Sequence, residues 1–151
     1  MLKRYVYEDI LKIFDAHKKY LAGEEGGIRA ELIGCEFYGT DYSWVNLAGA
    51  NLESSSFRRS NIMGINLEGA NLKNANMKRA CFVSANLNKA NMEGTFLKGC
   101  NFDDADLRGT NLKGASLEDA YFGNAKYNKN TIWPDGFDPV ASGAILVEED
   151  N

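Results

Sequence analysis

The chain is poor in the residues that most chemistry requires. Among 151 residues there is one histidine, two prolines and three cysteines. His17 alone cannot form a proton relay or a ligand set, and on the helical pattern around it we read it as a packing residue. Cys35, Cys81 and Cys100 are odd in number and form no CxxC pair, so neither a disulfide framework nor a zinc site is expected, and all three read as free thiols. The sequence has no phosphate-binding loop, dinucleotide fingerprint, HExxH or nucleophile elbow. Asp103, Asp104 and Asp106 cluster without the spacing of a calcium loop and read as a solvated turn. The chain therefore reads as non-enzymatic, with no cofactor and no metal. No apolar run approaches the roughly 18 residues of a membrane span. Glu8 and Asp9 interrupt the N-terminal stretch before a signal core could form. A cytoplasmic protein without membrane contact is the expectation.

What the chain does have is a count of five. From Ala30 to Lys129 it divides into twenty consecutive blocks of five whose third residue is always apolar or aromatic, as in Leu52, Phe57, Ile62, Leu67, Leu72, Met77 and Phe82. With 44% hydrophobic residues overall, such a run has chance odds on the order of one in ten million. Helices bury every third or fourth residue and strands every second, so five belongs to a larger repeating unit. Two residues before each centre, eleven of twenty are Ala, which implies a crowded interior. One before it, twelve are Asn or Asp, and two after it nine are Gly, the residues that favour turns.

Blocks such as INLEG, ANLKN, ADLRG and TNLKG resemble the A(D/N)LXX motif of the pentapeptide repeat family. The resemblance implies an all-β fold, a right-handed quadrilateral β-helix in which four blocks make one coil and twenty make about five. It also implies three segments: residues 1–29 as a capping helix and loop, 30–129 as the solenoid, and 130–151 as a C-terminal cap and acidic tail. Val6, Ile10, Ile13, Phe14, His17 and Leu21 follow helical spacing, which predicts an amphipathic α-helical cap over residues 5–21 that ends at Gly23. Beyond the repeats, Trp133, Phe137, Val140, Ile145 and Leu146 offer apolar area to cover the last coil, and Glu148, Glu149 and Asp150 read as a solvated tail.

With residues twenty apart stacked, the faces can be mapped. On the second face Arg58, Lys78 and Lys98 share one column and Arg59 and Arg79 the next, a basic patch spanning three coils. On the third, Met63 and Val83 share an outward column with Trp44 beside it, a docking strip for the N-terminal helix or a second protomer. On the first, Glu53, Lys73, Glu93 and Lys113 alternate beside an Asn column, as self-satisfying ladders would. Residues 30–129 carry eleven acidic and eleven basic side chains, so the overall charge of −4 arises at the ends. Some family members act on topoisomerases by resembling DNA, which needs an acidic rod, so a neutral one disfavours that role. The expected function is a scaffold or adaptor that presents rigid faces to a protein partner, as a monomer or weak homodimer. The alternative is weak, salt-dependent nucleic-acid binding by the basic face, disfavoured because no aromatic platform is expected among the cations.

Overall fold

The computed structural model describes residues 2–148, so Glu149 and Asp150 of the acidic tail lie outside the described residues. From Glu31 to Lys126 the backbone bridges residues twenty apart in parallel, as in Glu31 with Asn51, Asn51 with Asn71 and Asn71 with Asn91. Four five-residue sides therefore complete one turn of the coil. Within the side around Leu72, the Leu72 N–H donates to the Asn91 carbonyl at 2.7 Å, Asn71 N–H to Ala50 at 3.0 Å, Asn74 N–H to Glu93 at 2.9 Å, and Ala75 N–H to Leu72 at 3.0 Å. The one amide left over, that of Lys73, is met by Oδ1 of Asn71 at 3.1 Å. This closes the donor account of the block and explains why Asn or Asp precedes the centre so often.

The residue two after the centre adopts positive φ whether or not it is glycine. Nine glycines do so, and so do Trp44, Ser54, Arg59, Asn74, Arg79, Ser84, Lys89, Asp104, Asp119 and Asn124. The corner is imposed by the coil, and glycine merely meets it at least cost. The sides are correspondingly not the strands an all-β reading suggests. Each is a single bridged residue followed by a turn, and among the described residues the only strands are β1, Lys126–Tyr127, and β2, Ile145–Leu146.

The centres form the core. Leu32, Leu52, Leu72, Met92 and Leu112 are fully buried on the first face. Phe82, Phe102 and Phe122 stack on the third, with centroids 4.8 and 5.1 Å apart and planes within 9° and 7°. Burial of each such side chain contributes roughly 1.5–3 kcal/mol.

Helix α1 spans Tyr7–Ala22 and ends at Gly23, whose φ of 69° lets the Glu24 N–H return to the Lys19 carbonyl at 2.9 Å. It starts two residues later than the spacing predicts. Val6 is extended and 60% exposed, because the chain before it bridges the first coil: Lys3 pairs with Cys35. Leu21 is also exposed. The inward residues are Ile10, buried in the core, Ile13, packed against it, Phe14, edge-on to Tyr42 at 5.1 Å, and His17, whose ring bonds the backbone of Ala30 and Ala48.

At the other end Asn111 bridges Ile132, twenty-one residues on, so the count breaks there. Trp133 and Phe137 pack against Phe122 as expected. Val140, Ile145 and Leu146 do not: all three are exposed. Ile145 and Leu146 cover the coil through backbone instead, with β2 pairing in parallel to β1.

Candidate functional site

The second face departs from the rest in the residue before the centre, where Glu36, Ser56, Asn76, Phe96 and Ser116 stand in place of a run of Asn. Its next two columns hold the cations. Arg58, Arg59, Lys78, Arg79 and Lys98 are exposed and together line one depression of about 290 Å³. Arg59 and Arg79 leave the coil from left-handed corners, with φ of 56° and 60°, which fixes the direction of their stems.

Neutralisation within the patch is slight. Lys98 lies 3.9 Å from Glu118, an exposed pair that contributes at most about 1 kcal/mol. The other ion pairs among the described residues, Arg29 with Glu31 and Arg108 with Asp106, are elsewhere. Two rings do flank the cations, contrary to the sequence expectation. The Arg58 guanidinium lies 5.2 Å from the Tyr38 ring centroid, and Lys78 Nζ lies 5.7 Å from that of Phe96. Tyr38 and Phe96 are both about half exposed. Phe96 occupies the position before the centre, outside the cation columns.

The strip of Trp44, Met63 and Val83 is placed differently. Trp44 is 69% exposed and its indole lies against the backbone of Gly64, where a Cβ would come within 2.2 Å of the ring. It lines a groove of about 660 Å³ with Val45 and with Leu11 and Phe14 of α1. Met63 and Val83 are half-buried and do not line that groove.

The remaining candidates resolve into structure. Asp106 pairs with Arg108 at 2.6 Å, Asp103 accepts the Gly123 N–H at 2.8 Å, and no metal-ligating cluster occurs among the described residues. On the first face the Asn ladder forms, Asn71 Nδ2 donating to Asn51 Oδ1 at 3.2 Å. The charges beside it make no ion pair within the described residues; Glu53 instead accepts from Asn71 at 3.4 Å. Burial pushes the Cys100 thiol up to about 12, and its Sγ donates to the Met77 carbonyl.

The family described as Pentapeptide repeats, in 8 copies, matches residues 28–64, 50–88, 60–99 and 80–119. The chain belongs to the pentapeptide repeat family. Its coil is the right-handed β-helix of that family. Among solved structures, a pentapeptide repeat protein from the Arabidopsis thaliana thylakoid lumen is 26% identical, with 60% of this chain and 67% of that one covered and a TM-score of 0.51. Rfr23 from the cyanobacterium Cyanothece 51142 is 28% identical over 68% of this pentapeptide repeat chain and 90% of its own, with a TM-score of 0.39. QnrB1, a plasmid-mediated fluoroquinolone resistance protein, is 21% identical over 80% and 76%, with a TM-score of 0.47. No curated protein matches significantly. No helix among the described residues is long and apolar enough to cross a membrane.

Proposed function

We propose that this pentapeptide repeat protein is a non-enzymatic scaffold that binds an acidic protein partner through its second face. The observation that carries the reading is the convergence of Arg58, Arg59, Lys78, Arg79 and Lys98 on one depression, with one weak ion pair, Lys98 to Glu118, among the described residues. A rigid coil holds the stems of such charges at fixed spacing, so a complementary partner meets them without a backbone ordering cost. The segments 1–29 and 130–151 act in this reading as caps on the solenoid 30–129, supported by the contacts of α1 with Ala30, Tyr42 and Ala48 and by the pairing of β2. Trp44 serves as the seat of α1, Met63 and Val83 as a minor contact of a weak homodimer. Three unpaired cysteines suit a reducing, cytoplasmic setting.

The test is capture of partners by the native chain and by the triple reversal of Arg58, Arg59 and Arg79 to Glu. A partner retained only by the native chain is the expected result; capture that survives the reversal overturns the assignment. Tyr38 and Phe96 favour a second reading, nucleic-acid binding by the same face, since aromatic rings beside cations suit bases. A mobility assay at low salt decides it, and no shift there ends it. Regulation of a topoisomerase by DNA resemblance is opposed by the charge balance of the rod.

A further inference from the structure

The basic face carries something beyond its side-chain charge. In most sides of the coil the amide one after the centre is taken by an Asn or Asp oxygen two residues earlier, at 2.9 Å for Asn101 to Asp103 and 3.1 Å for Asn71 to Lys73. On the second face Lys78 is met in this way by Asn76 at 3.3 Å. Arg58, Lys98 and Glu118 are not, because Ser56, Phe96 and Ser116 stand where Asn would; off this face the same amide is unmet at Ile33 and Val83. Among the described residues none of these amides has an acceptor, and those of Arg58 and Lys98 are the two that belong to the residues lining the basic depression. The direction of such an amide is fixed by the coil, and in most sides the oxygen that meets it belongs to a side chain standing outside. An oxygen brought by a partner can occupy the same place, in a field already made positive by five cations.

Arg58 and Lys98 lie two coils apart, about 9.6 Å at the spacing of neighbouring strands. Arginine and lysine side chains bend to suit many partners, but two backbone amides cannot, so they set the register. An extended segment along the rod presents same-side groups about 6.7 or 13 Å apart, and neither matches. An α-helix presents them about 5.4 and 10.8 Å apart, close to one and two coils.

We propose that the second face receives an acidic α-helix lying along the rod axis. Carboxylates at i and i+7 accept from the Arg58 and Lys98 amides, and one at i+3 or i+4 sits opposite Lys78 and Arg79. This rests on the scaffold reading above and names the partner's chemistry.

The probes are two synthetic helical peptides of equal composition, one with glutamates aligned at i, i+3 and i+7, the other with the same glutamates spread around the helix. Binding is measured calorimetrically, and amide shifts by NMR on the full chain. The aligned peptide is expected to bind about tenfold tighter, a difference of about 1.4 kcal/mol, and to move the Arg58 and Lys98 amides. Phe96→Asn installs the oxygen that Asn76 supplies one coil earlier and leaves every cation in place; it is expected to weaken the aligned peptide several-fold. Equal affinity of the two peptides, unmoved amides, no effect of Phe96→Asn, or equal binding of a single-stranded oligonucleotide of the same charge would each overturn the proposal. If neither peptide binds while the triple reversal still abolishes partner capture, the helix inference fails and the scaffold reading stands. If the aligned peptide binds as expected while capture survives the reversal, the scaffold assignment fails and the helix site stands.

Discussion

Nδ1 of His17 accepts the Ala30 N–H at 3.0 Å. With Nε2 donating to the Ala48 carbonyl at 2.8 Å, the ring is neutral and in one tautomer, tying α1 to two sides of the first coil. A proton on Nδ1 would face another N–H.

Desolvation by burial, opposed by the bond to Ala48 and reinforced by the nearby Arg29 charge, holds the His17 pKa below its ordinary 6.5. The unfolded chain therefore binds the proton first as pH falls. The stability that His17 contributes is complete above about pH 6.5 and is lost progressively as pH falls through the lowered folded value. Denaturant melts at a series of pH values are expected to show this slope, and His17→Gln is expected to flatten it.

The Cys100 thiol, pushed up to about 12 chiefly by burial, is expected to resist an aromatic disulfide reagent in the native protein at pH 8, where only about one molecule in ten thousand carries the thiolate. Cys81, half-buried, is expected to react first. Because the unfolded thiol ionises near 9, the Cys100 contribution to stability is present below that value and is lost as pH rises from it toward 12. Native Cys100 labelling as fast as Cys81 would contradict this account.

Ser55 is fully buried, and its hydroxyl has no partner among the described residues. Its column continues upward as Ala75, Thr95 and Ala115, and Thr95 satisfies its own hydroxyl on the Met92 carbonyl at 2.7 Å. Ser55→Ala removes the orphan without opening much space and is expected to stabilise the fold by about 1 kcal/mol. Urea melts give the sign directly.

Ser84 sits at a corner with φ of 60°. Glycine meets that conformation without the Cβ penalty, so Ser84→Gly is expected to raise stability by about 1 kcal/mol, partly offset by the freedom glycine adds to the unfolded chain. A loss would mean that Ser84 makes a contact worth more than its strain.

The core was legible in the sequence because a five-residue period leaves a mark at every centre: Leu72, Met77 and Phe82 could face nowhere else. The corners were legible only in part. Gly69 and Gly94 announce positive φ, whereas Trp44, Arg59 and Lys89 do not, since the coil imposes on them a conformation their side chains disfavour. The two ends were misread where backbone rather than side chain makes the contact. Lys3 bridging Cys35 and Ile145 pairing with Lys126 leave no apolar signature, and a hydrophobic count assigned burial to Ile145 and Leu146 that their main chains made unnecessary. On the second face the cation columns could be read by stacking residues twenty apart. The free amides of Arg58 and Lys98 could not, because their meaning depends on knowing that Asn71 and its counterparts exist to answer such groups.

Twenty-residue bridging makes this chain editable in fixed steps. Removing residues 70–89 would shorten the rod by one coil and leave every later side chain on its own face. Removing five would turn everything beyond the cut by a quarter revolution, setting Lys98 above Leu72's side of the square instead of Lys78's. One missing residue would do neither, since it would send the next row of leucines and phenylalanines out to water. Length can therefore change by whole coils without moving any remaining side chain to another face, and orientation can change by quarter turns with every centre still turned inward.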